Sequence, residues 1–506
     1  MRLATVPQLH INEFAGAGIT ELESGITNGV GEKRGEINYL TQRPSIDVFA
    51  DASDNSAAAR GRAIYWWDAD STLYILNDGT IWTGNYSASF STSPTAGTKK
   101  CKFFEVGVYL VLLDPENDEG WTITTAGVTA AISDGDFPPN LGTAVPLAHG
   151  GAVLDDYLFV LGTNGIIYSS NNGDPTAWTA LDFIEAEREP DGGVYLGKHH
   201  DNLVAYGFST IEFFYDAANA VGSPLNRRQD VSYNIGCSSG ESVWDEGDRS
   251  FFIGVNYSGA FSVYLLENFQ IGIVSDSTLD SFLTQAIQRD GYSAVGSGFS
   301  AQGHTYYLIT LYSTPTDVSP AITLCFDAKT GLWSQWETTI NGISNLPLVG
   351  WTKRTGASER FGEGVLANGD LISINDNLSP TDSILGSTYV ADGYVAVNYV
   401  TKTTTEGTPI TMKARLGMFD GGTNGYKYPD NYRHVADRTE DSQTLILRWA
   451  NENSASWNPD RTLDTSVYTK VHQAGRFQRR NHELEYSGTE QIEIEAIEFD
   501  VEIGPR

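Results

Sequence analysis

Hydrophobic residues in this chain mostly follow the two-residue period of β-strands. From about residue 60, an apolar run ends in a short polar turn and a second apolar run follows it, as in "AIYWWDADSTLYILNDGTIWTGN" and "GAVLDDYLFVLGTNGIIYSS". The turns read Asn-Asp-Gly, Thr-Asn-Gly or Tyr-Ser-Gly, and Gly relieves the positive-φ strain that tight hairpin turns impose. The pattern predicts a succession of β-hairpins over most of the chain.

The hairpin pattern recurs at the interval expected of propeller blades. Six hydrophobic anchors in equivalent positions are spaced 36, 49, 45, 48 and 55 residues apart, and four-stranded blades recur at roughly 40–50 residues. The anchors are Leu73, Tyr109, Leu158, Leu203, Phe251 and Tyr306. A shorter copy, "GEGVLANGDLISIND", ends the series. We therefore predict an all-β fold with a β-propeller of six blades, or alternatively seven, over residues 56–375; a pair of β-sandwiches is the competing interpretation.

The two ends of the chain depart from this pattern. Residues 1–55 are loop-like and then extended, so we expect an N-terminal segment for which packing on the C-terminal domain is one arrangement. Residues 376–506 contain longer alternating runs and long loops, which predicts a separate antiparallel domain resembling a β-sandwich. One short helix is predicted in "SDSTLDSFLTQAIQRDG", with Ser277 or Asp280 as its N-cap.

The charge balance of the chain is strongly acidic. It has 64 Asp and Glu residues against 32 Lys and Arg residues, which gives a formal net charge of −32. Such an excess opposes non-specific binding to nucleic acid, because affinity for duplex DNA comes mostly from cations that neutralise phosphates. The composition excludes the class of DNA-binding protein that uses a simple basic groove. It is compatible with a surface past which DNA slides without sticking.

Cysteine usage and hydropathy indicate the cellular compartment. Cys101, Cys237 and Cys325 are scattered and lack C-x-x-C spacing, so we expect reduced residues in the core. The N-terminal "MRLATVPQLHINEF" has no apolar region typical of a secretory signal. No apolar stretch approaches the ~18 residues that a membrane helix needs. We expect a protein that stays soluble in a cytoplasm, without membrane insertion of its own.

A search for catalytic and metal-binding motifs identifies no site. The chain lacks G-x-S-x-G, H-E-x-x-H, EF-hand and phosphate-loop motifs, so we predict no enzymatic activity, no cofactor and no metal. The acidic turn "LDPENDEGW" makes Ca²⁺ binding conceivable, but such turns are common in so acidic a chain. A propeller enzyme acting on glycans would need arginines in the propeller mouth, and Arg227 and Arg228 are the only adjacent pair within the repeats.

The densest cationic cluster lies close to the C-terminus. Arg476, Arg479 and Arg480 precede the acidic residues Glu498, Asp500 and Glu502 in "GRFQRRNHELEYSGTEQIEIEAIEFDVEIG". A final hairpin turning at residues 488–490 would place Arg480 opposite Glu498 and Arg476 opposite Glu502. We therefore predict cross-strand ion pairs within the chain, with a subunit interface or another anionic partner as the alternative.

In the same register, Glu483 would face Glu495 and Glu485 would face Glu493. Like charges opposed in this way require solvent or a basic partner.

Several segments resemble tail nozzle proteins of short-tailed bacteriophages, which are also called tail hub or packaged-DNA stabilisation proteins. "GFSTIEFFYDAANA", "NIGCSSGESV" and "FFIGVNYSGAFSVYLLENF" are similar to the central region of that family. "YLTQRPSIDVFADASDNSAAARGRAIYWWDADSTLYILNDGTIWTG" is similar to the family's approach into its first blade. At the other end, "LILRWANENSASWNPDRTL" and "HQAGRFQRRNHELEYSG" resemble its C-terminal segment, where Gly475, Arg476 and Arg479 match a G-R-x-x-R run. The first 35 residues and residues 376–430 match nothing in the family.

The resemblance implies a non-enzymatic structural protein of the virion tail, assembled in the host cytoplasm. Family members form a homohexameric tube below the portal and its adaptor ring. The tube extends the DNA channel and stays closed until DNA ejection, with tailspikes or tail fibres and a distal tail component attached. DNA would pass through without specific binding. A generic propeller scaffold for binding and a glycan-acting propeller enzyme are the alternative functions.

Overall fold

The structure is a computed structural model, and it is almost entirely made of β-strands. It describes residues 2–4, 10–11, 22–34, 37–50, 52, 60–84, 86, 88–186, 188–219, 221–256, 259–314, 320–353, 362–375, 380–385, 404–451 and 457–503. The expected domain boundary at 55/56 lies outside these residues, and residue 376 of the boundary at 375/376 does as well. Within the described part of the chain, no helix has the length and apolar composition needed to cross a bilayer.

Six strands precede the repeats. They are β1 (Arg2–Ala4), β2 (His10–Ile11), β3 (Leu22–Thr27), β4 (Gly29–Arg34), β5 (Ile37–Gln42) and β6 (Ser45–Ala50).

Seven sheets then follow one another as propeller blades. Blade 1 contains β7 (Gly61–Trp67), β8 (Thr72–Asn77), β9 (Thr80–Thr83) and β10 (Ala88–Ser89). Blade 2 contains β11 (Lys102–Val106), β12 (Tyr109–Asp114), β13 (Glu119–Thr124) and β14 (Thr129–Ala131). The next strand in the chain, β15 (His149–Gly150), belongs to blade 4. Blade 3 follows it and contains β16 (Ala152–Leu154), β17 (Tyr157–Leu161), β18 (Ile166–Asn171) and β19 (Asp174–Glu185). The remaining strands of blade 4 are β20 (Gly193–His199), β21 (Asn202–Gly207), β22 (Ile211–Asp216) and β23 (Leu225–Tyr233).

Blades 5, 6 and 7 complete the series. Blade 5 contains β24 (Gly236–Cys237), β25 (Trp244–Glu246), β26 (Arg249–Val255), β27 (Phe261–Glu267) and β28 (Gln270–Ile273). Blade 6 contains β29 (Ser293–Ala301), β30 (His304–Tyr312), β31 (Ile322–Asp327) and β32 (Leu332–Gln335). Blade 7 contains β33 (Leu348–Lys353), β34 (Gly362–Leu366) and β35 (Leu371–Asn375), and its sheet continues through β6 to β36 (Thr381–Leu385) and β37 (Thr404–Pro409).

The blades close into a ring, which confirms the predicted propeller with the larger of the two blade counts. The inner strand β33 of blade 7 contacts both β29 of blade 6 and β7 of blade 1. The six anchors lie on β8, β12, β17, β21, β26 and β30, one in each of the first six blades, and the shorter copy supplies β34 and β35. Buried apolar residues of neighbouring blades form continuous clusters between the sheets.

The fourth strand of blade 7 comes from the N-terminal part of the chain. Strand β6 pairs antiparallel with β35, with Ile46 opposite Ile374 and Asp47 opposite Ser373. All six residues of β6 are buried. The propeller therefore includes residues 45–50, which lie before the boundary expected from the repeats alone.

The C-terminal region forms two sheets that pack face to face, as predicted for a sandwich-like domain. Its strands are β38 (Met412–Phe419), β39 (Lys427–Ala436), β40 (Thr444–Asn451), β41 (Arg461–Asp464), β42 (Val471–His472), β43 (Arg480–Tyr486) and β44 (Ile494–Ile503). One sheet runs β3-β38-β43-β40-β41 and the other runs β4-β5-β44-β39-β42. A single core cluster includes Leu447 and Leu484 from the first sheet and Phe499 from the second. The N-terminal strands β3, β4 and β5 are thus integral to these sheets.

The predicted helix is present and short. Helix α1 spans Ser277–Leu283 and continues as a π-helical turn over Thr284–Arg289. Its N-cap is Asp276 rather than Ser277 or Asp280, because the Asp276 carboxylate accepts hydrogen bonds from the backbone N–H groups of Thr278 and Leu279. The helix packs its apolar face between blades 5 and 6.

A buried ion pair joins the propeller to the sandwich. Arg43 lies between β5 and β6, and its guanidinium binds both carboxylate oxygens of Asp382 at 2.6 and 3.0 Å. Arg43 also donates to Asn28 Oδ1 and to the carbonyl of Glu337, and the Thr338 hydroxyl donates to Asp382. Both charged side chains are almost completely buried. The junction is therefore a hydrogen-bonded charge pair, for which loss of one partner is costly.

We expect Arg43→Ala to lower the free energy of unfolding by about 3–5 kcal/mol, because the Asp382 carboxylate would remain buried without its partner. Chemical denaturation measures the change. Arg433→Ala serves as the matched control, since its pair with Glu498 is about half exposed on the arginine side and should contribute at most about 1 kcal/mol. Equal losses in the two variants would contradict this assignment.

Candidate functional site

The centre of the propeller contains a cavity of about 190 Å³. It is lined by residues from six of the seven blades, including Lys100, Lys102, Tyr195, Asp245 and Ser297. This is the place where a propeller enzyme would bind substrate, so its polar groups are the first candidates for chemistry.

The polar groups at the centre form a closed network around Asp245. The Lys102 ammonium lies 2.9 Å from an Asp245 carboxylate oxygen, and the hydroxyls of Tyr195 and Ser250 donate to the same carboxylate. Burial alone would raise the pKa of Asp245, but the Lys102 charge and these hydrogen bonds lower it. Burial and the nearby Asp245 raise the pKa of Tyr195 well above its ordinary value. The Asp245 carboxylate therefore stays ionised and the Tyr195 phenol stays protonated, which favours a structural role over acid–base catalysis.

The acidic turn that made Ca²⁺ conceivable is occupied by donors of the chain itself. Asp114 accepts a hydrogen bond from the buried Arg62 guanidinium at 2.7 Å. Glu116 accepts from the backbone N–H groups of Thr98 and Lys99. Among the residues that the structure describes, no group of three His, Cys, Asp or Glu side chains is arranged to hold a metal ion. The turn tethers blade 2 to blade 1 through Arg62.

The adjacent arginines of the repeats lie far from the centre. Arg227 and Arg228 belong to β23, the outermost strand of blade 4, and line an open groove of about 790 Å³. Arg227 pairs with Glu212 at 2.8 Å and Arg228 pairs with Asp230 at 2.7 Å. This placement does not provide the arginine-bearing propeller mouth that a sialidase-like enzyme requires.

The predicted final hairpin is wrong. Strand β43 pairs with β38 and β40, whereas β44 pairs with β39 in the opposite sheet. The alternating apolar residues of β43 and β44 meet across the sandwich core rather than along a shared ladder. A hairpin and two strands that face each other across a core both place apolar residues at every second position of each strand. The alternation in the sequence therefore could not distinguish the two arrangements.

The C-terminal arginines consequently have other surroundings than predicted. Arg480 is completely buried, and its guanidinium donates to Asn451 Oδ1, the Tyr432 hydroxyl and the Ala474 carbonyl. Its guanidinium also lies 4.1 Å from the centre of the Phe477 ring. Arg476 is exposed and stacks over Tyr426 at 4.8 Å, and Arg479 is exposed as well. The predicted Arg480–Glu498 and Arg476–Glu502 pairs are not formed.

The acidic residues of β44 face different partners. Glu498 accepts a hydrogen bond from Arg433 at 2.8 Å, and Asp500 accepts one from the side-chain amide of Asn431 at 3.2 Å. Glu502 is exposed opposite Tyr428. The six predicted residues therefore do not form one site, and a role for the exposed Arg476 and Arg479 at a subunit interface stays a prediction.

Glu483 and Glu485 do not face Glu495 and Glu493, because β43 and β44 lie in different sheets, and they contact basic residues instead. Arg448 lies between them, with its guanidinium 2.9 Å from Glu483 and 2.7 Å from Glu485. Arg415 binds Glu483 at 2.5 Å from the strand on the other side. Burial would raise the pKa of Glu485, but Arg448 and Lys413 lower it. The network stabilises the outer face of the β38-β43-β40 sheet.

The sequence interpretation missed the lysines at the propeller centre. Lys100 and Lys102 line the cavity and lie with the exposed Lys99 in "GTKKCK", immediately before and within the first strand of blade 2. Three lysines in four residues were a readable signal, because this chain has half as many cations as acids. The three cysteines are buried and free, as predicted.

We expect Arg480→Ala to lower the free energy of unfolding of the sandwich by about 2–5 kcal/mol, because it leaves buried acceptors unpaired and opens a cavity. Arg476→Ala is the matched change in the same cluster and should cost about 0.5–1 kcal/mol, the range of an exposed cation–π contact. Denaturant titration of both variants checks the difference. Comparable losses would instead favour the surface ion pairs predicted from the sequence.

Comparison with solved structures gives several β-rich matches of low sequence identity. The N-terminal domain of Nup159 matches with a TM-score of 0.40 and 6% identity, covering 69% of this chain and 98% of that one. Streptogramin B lyase matches with a TM-score of 0.41 and 8% identity, covering 63% and 94%. BamB from Moraxella catarrhalis matches with a TM-score of 0.35 and 10% identity, covering 68% and 92%. No curated protein sequence matches the chain.

A protein-family model matches more than half of the chain. The match spans residues 30–347, from strand β4 to the start of blade 7, and the model is described as bacteriophage P22 Gp10, beta-propeller. The matched region includes the first six blades and the strand β6 that completes the seventh. The chain therefore belongs to the bacteriophage P22 Gp10 beta-propeller family, a family of phage structural tail proteins.

Proposed function

We propose that this protein is the subunit of a tail nozzle, which extends the DNA channel below the portal and adaptor and keeps it closed until ejection. The family match over residues 30–347 carries the proposal. The closed ring of seven blades, joined to a sandwich through a buried ion pair, supports a rigid wall element. In this role the protein resides in the virion tail and assembles in the host cytoplasm.

The propeller centre contains only a small cavity, which supports a DNA channel formed between several copies of the chain rather than through one propeller. The cavity there has a volume of only about 190 Å³, whereas the major groove of duplex DNA alone is about 12 Å wide. DNA therefore cannot pass along the axis of one propeller, and a channel has to form between copies of the chain. A closed ring with cyclic symmetry meets this requirement, and we propose the homohexamer that the family resemblance implies.

The acidic composition supports a channel that does not retain DNA. A net charge of −32 on each chain repels phosphates and keeps friction low during ejection. Retention of packaged DNA would then depend on a physical constriction in loops at one end of the tube. Tailspikes or tail fibres and a distal tail component complete the proposed set of partners.

We propose a non-enzymatic role. The carboxylate at the propeller centre is held by Lys102, Tyr195 and Ser250, and Asp114 and Glu116 are bound by Arg62 and neighbouring N–H groups. Carboxylates engaged in this way lack the free geometry that general acid–base catalysis uses, and the lowered pKa of Asp245 disfavours the protonated form that a general acid needs.

Native mass spectrometry and negative-stain microscopy test the assembly. The purified protein, alone and mixed with its adaptor partner, should give a closed ring of six copies in at least the mixture. A stoichiometric complex without a ring would favour the generic binding scaffold. Reproducible turnover of a polysaccharide, lost on mutation of one carboxylate at the propeller centre, would overturn the non-enzymatic assignment.

The folded protein should not bind duplex DNA at moderate salt. At about 150 mM salt the Debye length is near 8 Å, and counterion release requires cations that are free to meet phosphates. A fluorescence anisotropy titration should show no binding at micromolar protein. Tight binding that weakens with added salt would reveal a segregated basic surface and would contradict the low-friction channel.

A further inference from the structure

The Lys100 ammonium at the propeller centre is hydrogen-bonded to neutral backbone groups. It donates hydrogen bonds to the backbone carbonyls of Gly296 at 2.7 Å and Val243 at 3.2 Å, which are neutral acceptors. Among the described residues, no carboxylate lies within ion-pair distance of this ammonium. The Glu241 carboxylate accepts from the backbone N–H of Lys100 instead. Lys100 is only partly exposed, and charges withdrawn from water are normally paired, so an ammonium without an ion pair beside a cavity is unusual.

Further donors border the same cavity. Ser297 is 1% exposed, and its hydroxyl has no hydrogen-bond partner within the part of the chain that the structure covers. Lys102 also lines the cavity, and its ammonium donates to Asp245 and to the Tyr195 hydroxyl, which accounts for two of its three donor hydrogens. Lys100 and Lys102 belong to the blade 2 side of the cavity and Ser297 to β29 of blade 6, so the donors are contributed by different blades.

Of the charged side chains that line the cavity, Lys100 and Lys102 are cationic and Asp245 is anionic. Asp245 is bound by Lys102, Tyr195 and Ser250. Burial raises the pKa of Glu241, which weakens it as a counter-charge, and burial lowers the pKa of His149 to about 3, so that its ring is neutral. Burial and the Lys102 charge lower the pKa of Lys100 to about 8, and the ammonium is still mostly protonated at neutral pH.

We propose that the propeller centre binds a small tetrahedral oxyanion of the class of inorganic phosphate and sulfate. Such an ion accepts hydrogen bonds in all directions, which matches donors that arrive from different blades. The cavity of about 190 Å³ holds an ion of this size together with a few waters, each of which occupies about 30 Å³ in the liquid. A nucleotide is too large, since pockets for drug-sized ligands span about 300–1,000 Å³. The ion would join blades 2 and 6 across the ring and thereby stabilise the propeller.

Isothermal titration calorimetry with sulfate tests the site, because sulfate keeps its charge across the pH range of interest. Ionic strength is held constant with chloride. We expect saturable binding with a dissociation constant on the order of 1 mM, and about tenfold weaker binding in Lys100→Met. Lys198→Met is the matched control, because Lys198 is exposed on strand β20 and does not line the cavity; it should bind as the wild type does.

Two further measurements keep the proposal falsifiable if Lys100→Met folds poorly. Ser297→Ala removes only an unpartnered hydroxyl, so it should fold normally and bind sulfate several-fold more weakly. Affinity in the wild type should fall as the pH rises from 7 to above 9, because Lys100 loses its proton near pH 8. Absence of saturable sulfate binding, or binding that Ser297→Ala and high pH leave unchanged, would overturn the site. Binding of adenosine monophosphate more tightly than sulfate would overturn the size argument.

Discussion

The pairing of β6 with β35 is the contact on which the architecture depends. A propeller is stable only when its last blade meets its first, and here the last blade takes its fourth strand from residues 45–50. The two partners are more than 300 positions apart in the chain, so their pairing closes a loop that contains almost the whole propeller. Loop closure over such a distance is costly in entropy. The complete burial of β6 is the compensating gain, since burial of apolar surface is the main favourable contribution to folding.

The same stretch of chain fixes the sandwich relative to the propeller. Strands β3, β4 and β5 belong to the sandwich sheets, Arg43 binds Asp382 at the junction, and β6 then enters blade 7. In addition, Thr27 of β3 pairs with Gln335 of β32, so the sheet of blade 6 continues into the sandwich. Three consecutive links within about 25 residues leave little freedom between the two parts. The proposed role as a wall element of a DNA channel would require this kind of rigid connection.

How much the sequence predicted depends on whether a feature is local. Blade strands and hairpin turns were predictable, because alternation and positive-φ turns are encoded within a few residues, and Leu73 and Phe251 fell on the expected strands. The closing strand β6 was not predictable from the repeats, since its partner lies far away in the chain. The partners of Arg480 were predicted wrongly because the predicted hairpin is not formed. Apolar residues alternate in the same way in a hairpin and in two strands that face each other across a core. The position of Lys100 at a cavity could not be predicted, because the residues that line this cavity come from six blades that are distant in the sequence.

Ion pairs within the chain cannot neutralise its excess of acidic residues. The buried arginines Arg43 and Arg62 each bind carboxylates at junctions between sheets, and each such pair removes one cation for every acid that it neutralises. Even if all 32 cations were paired one to one, 32 of the 64 acids would remain. Unpaired carboxylates are too costly to bury, so this remainder must lie mostly on the surface. Since the propeller axis is too narrow for DNA, a channel between subunits would be built from that surface, and the DNA would meet an acidic wall.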